Sequence, residues 1–473
     1  MSVAVSSLPK KLPPGPRGLP VLGSLLDIRH DTHLAIDRLV KRYGDVRLLR
    51  FGSVPTVIIS DANLLHEAFG KAELADRWVS EIMDTLSGQK DLVLAPYGDH
   101  WRQMQRFANR ELLSARNVDN VRERHIETVV NELVARMAEI SDSGGLVSPP
   151  EMTARSNATL VFRSVFGQPE GANEEFLQRR ETLLAYISWI FGSATATNLA
   201  DYIPWLRFLP NSALKEAVRQ AEIGGAIIRA LVQDARGRPG LDLSTPTSLV
   251  EVMLAREEAG EITGDMICDL CMDLLIAGTD TSAQTVNWLL MILANRPEIQ
   301  ARVHEELDRV VGRDCLPTVE DRIRLPYLFA CLAESMRYRT IGPLGLPHKA
   351  SEDCEVGGYL IPAGTQVLGN IYSIHHDPRY WDAPDEFIPE RFLPLEDGSM
   401  SPALTSPAYL PFGTGHRRCP GRRFAETTVW LHVTRMLHRL QFETPDGNPL
   451  SEDEVFGLAI SPKPYSLRAS RRW

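Results

Sequence analysis

Apolar residues recur at helical spacing through most of this chain, and alternate only in short stretches near its two ends. Leu34, Leu39 and Val40 predict an amphipathic helix over 31–43. Val46–Phe51 and Thr56–Ser60, parted by Gly52 and Pro55, predict a pair of strands. From about Asp61 to Thr340 the helical period dominates, with helices predicted over 101–112, 117–140, 212–236, 263–294 and 298–311. Strand signals return at Tyr359–Ile361 and Gln366–Leu368, then near 441–444 and 465–469. The expected architecture is mainly α, with small sheets contributed by both ends. Residues 1–23 read as an irregular, Pro-rich lead-in, and 24–473 as one large domain, because no Gly/Ser linker or repeat divides them.

Composition narrows the function without naming it. A net charge of −10 over 473 residues argues against a general nucleic-acid binder. The six cysteines are few and irregularly spaced, so a disulfide framework is not expected. Cys268 and Cys271 fall inside the apolar-periodic stretch 263–294 and read as small buried helix residues. No apolar run reaches the length of a membrane-spanning helix. The expectation is a cytoplasmic or peripheral membrane protein without a transmembrane anchor in this chain. Lys10-Lys11-Leu12-Pro13-Pro14-Gly15-Pro16 is a basic pair followed by a stiff proline hinge.

One short window carries the clearest chemistry. Phe412-Gly413-Thr414-Gly415-His416-Arg417-Arg418-Cys419-Pro420-Gly421 sets a cysteine in a glycine-rich turn behind two arginines. Pro420 suits the first position of a helix, which would place Cys419 at its positive end and lower the thiol pKa. Such a thiolate has three uses: a nucleophile with His416 as base, one ligand of a metal site, or an axial ligand to haem iron. No further triad member or short-spaced Cys/His set accompanies it. A haem thiolate asks for one cysteine, an arginine for a propionate and glycines for close approach, and the window holds all three. The pattern at Phe412, Gly415, Arg417, Cys419 and Gly421 closely resembles the haem-binding loop of the cytochrome P450 superfamily.

Other motifs follow in the order that this resemblance requires. Ala277-Gly278-Thr279-Asp280-Thr281-Ser282 sits mid-way in the predicted long helix and is poor for helix stability, so a local distortion is expected. It resembles the family's oxygen-binding segment. By that resemblance Ala277 and Gly278 leave room over the iron, Thr281 supplies a hydroxyl and Asp280 supports proton delivery. Glu334 and Arg337, spaced i,i+3, and Arg391 in Pro389-Glu390-Arg391-Phe392 resemble the family's structural clamp beneath the haem region. Arg417, His348 and the indole N–H of Trp101 are the expected propionate donors. Gln105 stands where the family usually has a basic residue.

The resemblance covers about Leu12 to Ser470. It implies the cytochrome P450 fold, with haem b buried between the long central helix and the cysteine loop. It also implies a haem-thiolate monooxygenase that inserts one atom of molecular oxygen into a small lipophilic substrate. Cys419 would be the iron ligand, with Phe412, Gly413 and Gly421 shaping its loop. No nucleotide-binding fingerprint is present, so electrons from NAD(P)H are expected through a separate flavoprotein reductase or ferredoxin. Arg102, Arg106, Arg110, Arg418, Arg422 and Arg423 are candidates for its docking face. Membrane-bound members carry a hydrophobic anchor before a basic, proline-rich segment like that at Lys10–Pro16. A peroxide-using or non-redox rearranging member of the family is the alternative, which the acid–alcohol pair Asp280–Thr281 argues against. Pocket walls are expected from Trp78, Ile82, Met83, Leu86 and Leu94, from Tyr186–Phe191 and from Ile341–Leu346. Ile203–Leu209 is a candidate patch for peripheral membrane contact.

Overall fold

The computed structural model describes residues 11–28, 31–167, 174–193, 199–209, 211–457 and 459–473. Lys10 and the residues before it lie outside the described residues, as do the side chains of Val40 and Phe191.

A helix of 32 residues, Gly264–Asn295, runs through the molecule. Thr263 caps its start by accepting the Met266 N–H. From Val286 to Ala294 every side chain is buried and all but Asn287 are apolar, so this stretch lies in the centre of the core. The helix Pro149–Phe166 packs along it more extensively than any other pair of described elements pack. Trp288 and Leu289 of the central helix, Phe162 and Phe166 of its neighbour, and Trp430 of the last helix, Arg422–Arg439, belong to one apolar core.

The larger sheet joins distant parts of the chain. Its strands run in the order Val46–Phe51, Val54–Ile59, Gln366–Gly369, His348–Lys349 and Asp76–Arg77. Val54–Ile59 and Gln366–Gly369 are parallel, and the remaining pairs antiparallel. Residues of the lead-in lie against this sheet: the Leu48 N–H bonds to the Pro14 carbonyl, and the Leu360 N–H to that of Lys11. A smaller sheet pairs Leu467–Arg471 with Leu146–Val147 and Leu440–Glu443.

The predicted elements are present, with two refinements. The helix expected over 101–112 is an α-helix Asp99–Phe107 continued by a wider π turn, Ala108–Leu112. That expected over 117–140 is interrupted by a second π turn, Arg122–Ile126. Periodicity over a dozen residues does not register one extra residue in a turn.

Candidate active site

The cysteine loop is held from both sides. Gly413 and Gly415 have φ of 67° and 73°, a region that L side chains avoid. At Gly415 there is also no room: a Cβ would lie 2.0 Å from the Phe69 carbonyl oxygen. The Thr414 hydroxyl lies 2.6 Å from His66 Nδ1. The Cys419 N–H closes the loop by donating to the Phe412 carbonyl at 3.0 Å. A Cβ on Gly421 would stand 3.9 Å from Cys419 Sγ, so the chain passes close to the sulfur. His416, the nearest base in sequence, has Nδ1 3.4 Å from the Tyr97 hydroxyl. Its carbonyl accepts Gln105 Nε2 at 3.3 Å. The neutral Gln105 thus ties its helix to the loop.

Two expectations about Cys419 are corrected. The last helix begins at Arg422 with Gly421 as its cap, so Pro420 lies in the preceding turn rather than at the first helical position. The first intrahelical bond runs from the Ala425 N–H to the Gly421 carbonyl, which fixes that start. The thiol pKa is pushed up rather than down. Burial dominates, and the Gly421 N–H and the Arg418 charge offset it only in part. Cys419 is nevertheless exposed and lines a cavity of about 710 Å³. It shares that cavity with Arg418, Arg422 and Arg423, and neither Arg417, His348 nor the segment Ala277–Thr281 lines it.

Behind the loop lies the charged clamp. Arg337 and Glu334 are fully buried and bond bidentately at 2.7 and 2.8 Å. Arg391 Nε donates to the same carboxylate at 3.3 Å, and the Ile388 N–H at 2.9 Å. Arg337 then donates to the carbonyls of His375, Pro384 and Glu386. His375 passes the connection on, because its Nε2 accepts the Leu410 N–H at 2.9 Å, just ahead of the cysteine loop. Its role is structural.

A cluster of cationic donors stands beside the loop. Sheet register puts Arg77 opposite His348. Arg417 joins them, with its guanidinium carbon 4.2 Å from the Trp101 ring centroid. Arg417 donates to the carbonyls of Ala75, Leu92 and Ala95, and Arg77 to those of Val93 and Leu346. His348 Nδ1 lies 2.6 Å from the Leu74 carbonyl oxygen. Among the described residues neither arginine has a carboxylate within ion-pair distance. Burial lowers the pKa of Arg417 to about 10, and burial together with the Arg417 charge lowers that of Arg77 to about 9. His348 is pushed well below its usual value by burial and then by Arg77. The Trp101 indole N–H donates to the Leu92 carbonyl at 2.9 Å, so its proton is used within the protein.

On the central helix, Thr281 Oγ1 donates to the Ala277 carbonyl at 2.8 Å. Asp280 accepts Gln284 Nε2 at 2.9 Å, and burial raises its carboxyl pKa. Ala277 is exposed although its helix is the most central element. The helix runs on without interruption through Gly278. The open side of Gly278 is also not toward a ligand, since a Cβ there would meet both Val161 methyls at 3.3 and 3.4 Å. Successive helix residues point about 100° apart, so Ala277 leaves space and Gly278 serves helix packing. The oxygen segment and the cysteine loop share no hydrogen bond among the described residues.

The sequence model of the cytochrome P450 family matches residues 13–469. The chain belongs to the cytochrome P450 family. It is 29% identical over 486 residues to human "Cytochrome P450 1B1", covering 98% of this chain and 88% of that protein. It is 31% identical over 484 residues to the rat protein of that name, with the same coverage. Against "Cytochrome P450 1A2" of Cavia porcellus it is 30% identical over 477 residues, covering 96% and 90%. This P450 is therefore a monooxygenase of the family that uses haem b, with electrons from NAD(P)H delivered by a redox partner.

Its residues fit that cofactor on their own chemistry. Two half-buried guanidiniums hydrogen-bond only to main-chain carbonyls, with the charges of Asp76 and Asp91 nearby but at no ion-pair distance, and together they suit an added anion. Haem brings two carboxylates. The exposed Cys419 offers a soft sulfur ligand. Arg77 is a member of this set that sequence reading missed. It belongs to a two-residue strand whose partner is 271 positions away (Arg77 to His348), and no local spacing marks it. Among the expected pocket walls, Ile82, Leu94 and Leu344 are buried, while Met83, Leu86 and Ile341 are half-buried. Tyr186, Ile187 and Ile190 belong to the main core, and Tyr186 packs on Gly224.

Proposed function

We propose that Cys419 would supply the thiolate ligand of the haem iron in this P450, and that Arg417, Arg77 and His348 would hold the propionates, with Trp101 bracing Arg417. The observation that carries the reading is the conjunction of the exposed Cys419 in its glycine loop with two half-buried arginines that have no carboxylate at ion-pair distance among the described residues. When bound, thiolate-ligated haem iron reduces molecular oxygen and favours O–O cleavage, so that one oxygen atom enters the substrate. The chain's own residues supply position and protons. Gly415 and the Gly421 N–H fix the sulfur. Asp280, whose carboxyl pKa burial raises, would be the proton donor. Thr281, bonded to the Ala277 carbonyl, holds the hydroxyl through which that proton passes. Ala277 leaves the space in which oxygen and substrate meet. The carbon monoxide difference spectrum of the reduced protein tests the ligand. Wild type should give the thiolate-type band and Cys419→Ala should lose it; a wild type without the band would overturn the assignment.

The proposed substrate class is small and lipophilic, because Met83, Leu86 and Ile341 among the expected walls are half-buried apolar side chains. Spin-state titration with hydrophobic against charged ligands checks this, and tighter binding of the charged set would reverse it. The redox partner would dock on the face around the cavity of about 710 Å³, where Arg418 and Arg423 carry no ion pair among the described residues. Arg102 and Arg110 are engaged with Asp99 and with Glu111 and Glu261, and contribute less. No helix among the described residues is long and apolar enough to cross a membrane. Trp205, Phe208 and Leu209 are exposed, Phe208 by 91%, and we propose them as a peripheral membrane contact. Phe208→Ser should weaken flotation with lipid vesicles, and unchanged flotation would remove the patch from consideration.

A further inference from the structure

The helix Pro149–Phe166 does more than pack against the central helix. Thr153, Asn157 and Val161, spaced four apart, share one of its faces, and each meets the central helix. Val161 fills the space left by Gly278. Asn157 is buried, and its Nδ2 donates to two consecutive carbonyls, those of Gly278, at 2.7 Å, and Thr279. Its Oδ1 is buried without a partner, so the group is retained for its two N–H donors. Thr153 shares its hydroxyl proton between the Pro149 carbonyl and Asn287 Oδ1, at 2.8 and 2.6 Å. Asn287 Nδ2 donates to Gln284 Oε1 at 3.4 Å, and Gln284 Nε2 to Asp280 at 2.9 Å.

The carbonyls of the oxygen segment are thus taken by side chains one after another. Leu275 accepts from Thr279, Ala277 from Thr281, Gly278 and Thr279 from Asn157, and Thr281 from Thr285. Two of these bonds come from outside the helix, and one buried carboxamide supplies both. A helix containing Gly278 and three threonines has weak local preference of its own, so the direction of the peptides before Asp280 depends on that carboxamide.

We infer that Asn157 is a positioning residue for oxygen activation: it fixes the Gly278–Thr279 peptides and so aims the Asp280 carboxyl and Thr281 hydroxyl. Gln284 and Asn287 hold the other side of Asp280. Asn157 is buried against the central helix and acts through it. The inference rests on the proposed roles of Asp280 and Thr281, and the controls separate the two.

The test compares haem-loaded wild type with Asn157→Ala, Asn157→Ser, Thr281→Ala and Asp280→Asn. The first readout needs no turnover. Hydrogen exchange at the amides of Ser282 and Ala283, which close the helix onto the Gly278 and Thr279 carbonyls, should quicken about tenfold in Asn157→Ala. Such a change corresponds to about 1.4 kcal/mol of local opening. The C–O stretching band of the reduced carbon monoxide complex should broaden. The second readout is product formed per NAD(P)H oxidised, with 7-ethoxycoumarin as probe. That ratio should fall at least threefold in Asn157→Ala, with the missing electrons recovered as hydrogen peroxide. Peroxide-driven turnover should hold, and Asn157→Ser, which keeps one donor, should lie between. Wild-type exchange and band shape in Asn157→Ala would overturn the inference. So would loss of haem in both Asn157 variants, which would make the residue structural only. Full coupling in Thr281→Ala and Asp280→Asn would instead overturn the underlying proton-delivery reading.

Discussion

Gly415 shows how much one residue can carry. Its φ of 73° and the 2.0 Å approach of the Phe69 oxygen leave no conformation for a side chain. Gly415→Ala should therefore fold with a displaced loop and bind little haem, read as the ratio of haem to protein absorbance. Asp269 is a second single-residue case. Burial and then the Asp91 charge raise its pKa to about 6. Its folded pKa is above the unfolded value, so the native state keeps the proton longer. Stability is lost as pH rises from about 4 through 6. Asp269→Asn should raise Tm over wild type above pH 6, with the gain vanishing near pH 4. A gain that grows toward low pH would contradict this. At this scale the cysteine loop was legible in advance, because its cysteine, arginines and glycines are contiguous. Arg77 was not, because only sheet pairing brings it to His348. The direction of the Cys419 shift was also missed, since burial is a property of the fold.

Between elements, the clamp is the clearest connection. Glu334 sits at no exposure and accepts from Arg337, Arg391 and the Ile388 N–H, so removing its charge strands two guanidiniums. Glu334→Gln should cost about 3–5 kcal/mol and reduce haem retention through the Arg337–His375–Leu410 connection. Denaturant melts of the apo and loaded forms check both, and equal loss in the two would deny the connection. The long central helix was readable from its period, and so was its unstable middle. The helix runs on through that middle, where Asn157 and its own threonines donate to the carbonyls. Gly278 belongs here too: its missing side chain admits Val161.

Across the whole molecule, charge is sorted by position rather than by total. The chain is acidic overall, with a net charge of −10, yet Arg418 and Arg423 stand without ion pairs among the described residues. Replacing both with alanine should raise the apparent KM for an acidic flavoprotein reductase and flatten its salt dependence. Substrate binding and the carbon monoxide spectrum should stay unchanged. An unaltered KM would place docking elsewhere.

The sequence by itself determined what depends on neighbours along the chain: the helices, the cysteine loop, the i,i+3 clamp and the order of the family's motifs. These are set by local period, backbone freedom and residue chemistry. Only the tertiary structure decided which arginines share a pocket, which way Gly278 and Ala277 face, how burial moves the thiol, and that Asn157 grips the oxygen segment. Those depend on the distance and desolvation between residues far apart in the chain, and no local pattern carries either.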